Sequence, residues 1–160
     1  MAHSPEFEAL CQGARAHVRE TSVADVHGRQ QIGAPFVLVD VREDNEWQKG
    51  YISGAIHLGR GIIERDIVEA IPAKDTEIVL YCGGGFRSAL SAENLQKMGY
   101  RNVWSMAGAA FGEFLPGVAA AGEYGGGAVP VGLHGSAQEL RDLRHGGPLD
   151  WPRCGTSGGS

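Results

Sequence analysis

The chain has 160 residues, enough for one domain with a real core and some excess. Its net charge of −5 argues against nucleic acid as a general partner, and no apolar run approaches the roughly 18 residues of a membrane span. Three cysteines, odd in number and widely spaced, together with scattered histidines, speak against a disulfide framework and a metal site.

Phe7, Leu10, Ala14 and Val18 recur at helical spacing, which predicts an amphipathic helix over residues 5–20. Met1 to Glu20 has no apolar signal-peptide core, so a reducing cytoplasm is the expected compartment. Ser22 and Asp25 resemble a capping box for a second short helix, which Gly33-Ala34-Pro35 ends. Phe36 to Val41 is apolar without alternation, as in a strand buried on both faces of a parallel sheet. Glu43 to Lys49 reads as a helical turn stopped by Gly50, and Ala55 to Leu58 as a brief strand. Ile63, Ile67, Ala70 and Ile71 mark a helix closed by Pro72. Ile78 to Tyr81 is a strand, and beyond residue 88 Ala92, Leu95 and Met98 share one helix face, with Gly99 as the C′ residue. Tyr100 to Met106 reads as a further strand.

Strands alternating with helices give an α/β fold with a mainly parallel central sheet. Right-handed crossovers then bring Asp40-Val41-Arg42 and Cys82 to Arg87 to one edge of that sheet. After about Leu115 the composition changes. We expect an N-terminal helical extension over residues 1–20, the main domain over 21–116, and a flexible glycine-rich tail over 117–160 with at most a short helix at Ser136–Leu143.

Cys82 ends the Ile78 strand and is followed by Gly83, Gly84, Gly85, Phe86, Arg87 and Ser88. Glycines let the backbone turn its N–H groups inward, while a helix N-terminus and Arg87 add positive charge. A thiol there is expected to ionise readily, and an anion to dock beside it. Ser88 is expected to cap the helix. The glycines do not form a nucleotide-binding loop, since no Gly-Lys-Ser/Thr follows.

Two blocks carry a family likeness. Val39-Asp40-Val41-Arg42-Glu43, Glu46-Trp47 and Gly50-Tyr51-Ile52-Ser53-Gly54-Ala55 resemble the pattern D-V-R-x-x-x-E-[aromatic]-x-x-G-H-I-x-G-A of the single-domain rhodaneses, a sulfurtransferase family. Val79-Leu80-Tyr81-Cys82-Gly83-Gly84-Gly85-Phe86-Arg87-Ser88 resembles the family's C-x-x-G-x-R-S loop. The resemblance implies a three-layer α/β/α fold and a sulfur carried as a persulfide on Cys82. The loop from Gly83 to Ser88 would hold that persulfide, Asp40 and Arg42 would support the loop, and neither a metal nor a cofactor would be needed. It implies a small anionic donor such as thiosulfate, a thiol or cyanide as acceptor, and room for a protein partner in a sulfur relay. Tyr51 stands where the family has histidine, and Ala107-Gly108-Ala109-Ala110-Phe111 replaces a D-G-G-W-type segment, with Phe111 as a substitute for its tryptophan.

Other readings of the same residues are an inert buried Cys82, an Arg87 paired with Glu93 or another carboxylate, and a His57 serving Cys82 as a base rather than packing. Arg60 and Arg65 are expected to be solvated. A persulfide carrier without small-molecule turnover is an alternative function. A phosphate- or arsenate-handling enzyme is another, but the related phosphatases have one more residue between cysteine and arginine than the Gly83 to Phe86 present here.

Overall fold

The computed structural model describes residues 3–108. Five parallel strands form one sheet: β1 (Arg19–Ser22), β2 (Val37–Asp40), β3 (Ala55–His57), β4 (Ile78–Tyr81) and β5 (Val103–Ala107), in the order β1-β5-β4-β2-β3. The helices are α1 (Pro5–Arg15), α2 (Val23–Gln31), α3 (Asp44–Trp47), α4 (Ile63–Ala70) and α5 (Phe86–Lys97).

Because side chains alternate along a strand, the sheet has two apolar faces. Val39, Ile78, Leu80 and Val103 pack against Ile63 and Ile67 of α4 and Ala92 and Leu95 of α5. Leu38, Val79, Tyr81 and Met106 face the other way, onto Val26 of α2 and Ile52. The result is the expected three-layer arrangement, and β4 is buried along its whole length, as its unbroken apolar sequence requires.

The local signals at Ser22 and Gly99 act as read. Ser22 Oγ accepts from the Asp25 N–H while the Asp25 carboxylate accepts from the Ser22 N–H, closing the capping box of α2. Gly99 leaves α5 at φ +92°, a left-handed conformation that favours glycine.

The N-terminal helix is shorter than its periodicity suggests. It ends at Arg15, and Arg19 to Ser22 form an edge strand on β5 instead. The strand is short and largely exposed, so its sequence, Arg-Glu-Thr-Ser, lacks an apolar signal. Cys11 and Ala14 bury α1 against Ala89 and Leu90 of α5, which makes this segment part of the packed body. The expected helix at Ser136–Leu143, Phe111, Cys154 and the tail over 117–160 lie outside the described residues.

Candidate active site

Parallel strands end on one edge, and three of them deliver the site. Beyond β2, the Val41 N–H donates to the Tyr81 carbonyl of β4 (3.0 Å), and beyond β3 the Arg60 N–H donates to the Val41 carbonyl (3.0 Å). The segments carrying Arg42, Arg60 and Cys82 therefore lie side by side, as expected for the first and last of them.

Cys82 is 1% exposed. Its Sγ accepts from the Gly85 N–H at 3.2 Å and lies 3.7 Å from Ser88 Oγ. The chain turns back over the sulfur at Gly85, where φ is +85°. A Cβ there would stand 3.3 Å from both Ala107 Cα and Arg15 Nη2, so conformation and space both demand glycine. Gly83 and Gly84 differ: neither has positive φ, and an added Cβ would meet Arg87 Nη2 or the Phe86 ring at ordinary contact distances of 3.6 and 3.7 Å. Of the three glycines, Gly85 is the one at which both φ and the neighbouring atoms require the residue type.

Gly85 is also the N-cap of α5, so Phe86, Arg87 and Ser88 form its first turn. Ser88 is not the cap that its type suggested. It sits inside the helix, fully buried, with Oγ 2.9 Å from Ser105 Oγ on β5. Phe86 turns its ring toward α1, 5.8 Å from Phe7 and 5.6 Å from the Arg15 guanidinium. The helix's first N–H groups have no intrahelical acceptor, which leaves those of Phe86, Arg87 and Ser88 available at the loop.

Arg87 spans the site. Its Nη1 and Nη2 donate to the two carboxylate oxygens of Glu46, at 2.5 and 2.9 Å. That hydrogen bonding, with the Glu43 N–H adding to it and burial opposing, holds the Glu46 carboxyl down to about 2, and Glu46 in turn raises Arg87. Glu93, named above as the alternative partner, instead meets Lys97 and His17.

Asp40 and Arg42 form a buried fork at the end of β2, with Arg42 Nη2 2.7 Å from Asp40 Oδ2. Arg42 also donates to the Gly50 carbonyl at 2.6 Å. The pair ties the β2 end to Gly50 and so fixes the segment between them, which carries Glu46. Trp47, on the same segment, stacks with Tyr51 (3.7 Å) and with His57 of β3 (4.8 Å). His57 Nε2 is 2.9 Å from the Arg42 carbonyl and Nδ1 is 3.7 Å from Asp44, so the imidazole is packed and engaged there; among the described residues it makes no bond to Cys82.

The two outer arginines separate. Arg65 is exposed and pairs with Asp66. Arg60 is half-buried: its Nε is buried and meets no hydrogen-bonding partner, and among the described residues no carboxylate pairs with its guanidinium. Cys11 is a second buried free thiol. Burial pushes it up, while the Arg60 charge pulls it down and the Cys82 charge pushes it up, so both act within reach of α1. Sequence reasoning missed Ser105. The available signal for Ser105 was a lone hydroxyl two residues from Val103, on the same inward face of a strand.

Comparison with known proteins points the same way as the geometry. The rhodanese-like domain family matches residues 22–112. The thiosulfate sulfurtransferase PspE of Escherichia coli is 31% identical over 70 residues, covering 44% of this chain and 67% of PspE. A rhodanese-like domain protein of Staphylococcus aureus superposes with a TM-score of 0.53 at 26% identity, over 57% of this chain and 86% of that one. A Rhodopseudomonas palustris protein of unknown function, described as a possible tyrosine phosphatase, superposes with a TM-score of 0.60 at 29% identity, over 68% of this chain and 88% of that one.

Proposed function

From the premise that the chain belongs to the rhodanese-like domain family, we propose that it is a sulfurtransferase moving a sulfane sulfur from thiosulfate or a similar donor through a Cys82 persulfide. The observation that carries this reading is the sulfur of Cys82 inside a turn, with the Gly85 N–H donating to it and the Ser88 hydroxyl 3.7 Å away. The Cys82 thiolate attacks the outer sulfur of thiosulfate. A new S–S bond forms, the donor's S–S bond breaks, and sulfite leaves with the electron pair. Cyanide or a thiolate then attacks the outer sulfur of the persulfide and returns the Cys82 thiolate, a ping-pong cycle. The free N–H groups at the start of α5 would hold the outer sulfur.

Arg87 has its charge balanced by Glu46, so its part is to clasp the loop. Arg60, at the same sheet edge and without a carboxylate partner among the described residues, is the cation we assign to the donor's sulfonate end. The short ring from Cys82 to Arg87 suits one sulfur atom better than a tetrahedral phosphoryl group, which sets the phosphatase reading below this one. Asp40 and Arg42 support the loop from a distance and take no part in bond making.

The test is direct. Protein treated with thiosulfate should gain the mass of one sulfur atom on Cys82 and release thiocyanate when cyanide is added. Turnover that survives in Cys82→Ser would overturn the proposal. A persulfide accepted only from another protein would favour the carrier reading, and Cys82-dependent hydrolysis of a phosphomonoester would favour the phosphatase reading.

A further inference from the structure

Three buried groups form a line into the protein: Cys82 Sγ, Ser88 Oγ at 3.7 Å, and Ser105 Oγ 2.9 Å beyond it. Both serines are fully buried. Among the described residues, Ser105 Oγ has Ser88 as its hydrogen-bond partner, and Ser88 Oγ has Ser105 and Cys82. A hydroxyl carries one proton to donate, and a buried donor left without an acceptor is costly. If Ser88 donated to Ser105, the Ser105 proton would have nowhere to go. If Ser105 donates to Ser88, the Ser88 proton is left for the sulfur, and with Cys82 ionised every proton in the line has an acceptor. The Gly85 N–H already donates to the same sulfur, so Cys82 stands as an acceptor from two sides.

We infer that Ser105, on β5 and hydrogen-bonded to Ser88 rather than to Cys82, is a positioning residue that fixes the direction of the Ser88 hydroxyl and thereby holds Cys82 as a thiolate ready to attack. The relay Ser105→Ser88→Cys82 deepens the sulfurtransferase reading, on which it rests only for what the thiolate attacks. Hydrogen bonds in series polarise one another, so the inner hydroxyl strengthens the outer one. The arrangement also has a consequence for the cycle: when sulfite leaves, Ser88 still donates to the inner sulfur of the persulfide, and the same bond is in place when the thiolate returns.

The experiment measures alkylation of Cys82 by iodoacetamide as a function of pH, in the full chain with Cys11 and Cys154 replaced by alanine, so that one thiol reports. This readout needs no sulfur transfer, and it therefore separates failure of the relay from failure of the proposed activity. For Ser105→Ala the alkylation profile should move to higher pH, and the rate at neutral pH should fall roughly two- to tenfold. Ser88→Ala should lose at least as much. Because Ser105 acts through Ser88, adding Ser105→Ala to Ser88→Ala should cost nothing further, and Ser105→Thr, which keeps the hydroxyl, should recover the profile. Three results would each overturn the inference: an unmoved profile in Ser105→Ala, an equal loss from Ser105→Ala in the presence and absence of Ser88, or a Ser105→Thr profile matching that of the alanine variant at unchanged melting temperature.

Discussion

Arg87 and Glu46 meet fork to fork, Nη1 and Nη2 each on its own carboxylate oxygen, at 2.5 and 2.9 Å. The bond joins the first turn of α5 to α3 and so fixes the Cys82 loop against the loop that follows β2. A lysine supplies one point charge and no fork. Arg87→Lys and Glu46→Gln should therefore each lower kcat for sulfur transfer on the order of tenfold or more, through misplacement of the loop. Steady-state kinetics with thiosulfate and cyanide would check this, and kcat unchanged in both variants would exclude the clasp.

The same pair predicts an acid limb. Glu46 is held at about 2, below its ordinary 4.5. A depressed carboxyl contributes stability above its unfolded value, and that contribution is lost as pH falls through 4.5 toward about 2. Urea midpoints measured from pH 6 to 2 should fall more steeply for the wild type than for Glu46→Gln over this window. Since both side chains are partly exposed, added salt should narrow the difference.

The glycines of the loop should respond unequally. Gly85→Ala forces a side chain into a left-handed conformation and onto Ala107 and Arg15, at a cost of about 1–3 kcal/mol. Gly83→Ala faces neither obstacle and should stay within about 0.5 kcal/mol of wild type. Thermal melts of the two variants give the comparison, and equal shifts would count against the geometry.

Asp40 has no exposure and holds Arg42 through three of the hydrogen bonds between their side chains. Removing one partner of a buried ion pair strands the other, so Asp40→Ala should destabilise the fold by about 3–5 kcal/mol in urea titrations. A loss below 1 kcal/mol, roughly that of an exposed pair, would contradict the burial described.

If Arg60 receives an anionic donor, its neutral variant should discriminate by charge. Arg60→Gln should raise KM for thiosulfate about tenfold and should slow Cys82 alkylation by anionic iodoacetate more than by neutral iodoacetamide. An unchanged ratio of the two alkylation rates would remove Arg60 from the anion's path.

Much of this fold is readable because its signals are local. β4 is four apolar residues in a row, α4 repeats its isoleucines at positions 63 and 67, and the α2 cap lies within four residues. The Cys82 turn and the Asp40-Arg42 pair are likewise contiguous, and the parallel topology brings them together. What escaped reading depends on distant partners. β1 is polar because it is an edge, and only β5 makes it a strand. Ser88 is of the type that caps helices, yet the left-handed turn at Gly85 starts the helix earlier and carries Ser88 inside, to a partner on another strand. The backbone position of Arg60 likewise depends on a distant partner, the Val41 carbonyl that accepts from its N–H.

The strand order has a consequence for synthesis on the ribosome. β1 has a single neighbour in the sheet, β5, with Arg19 paired to Trp104 and Ser22 to Ala107. Strands β2, β3 and β4 can associate as they emerge, but β1 has no place to dock until β5 has left the exit tunnel and joined β4. The first strand made is thus the last to settle, and contacts so distant in sequence close slowly. Until then its unpaired edge and the apolar side of α1 are open to other nascent chains, so the interval from the emergence of Ser22 to the docking of Ala107 is the vulnerable window for aggregation.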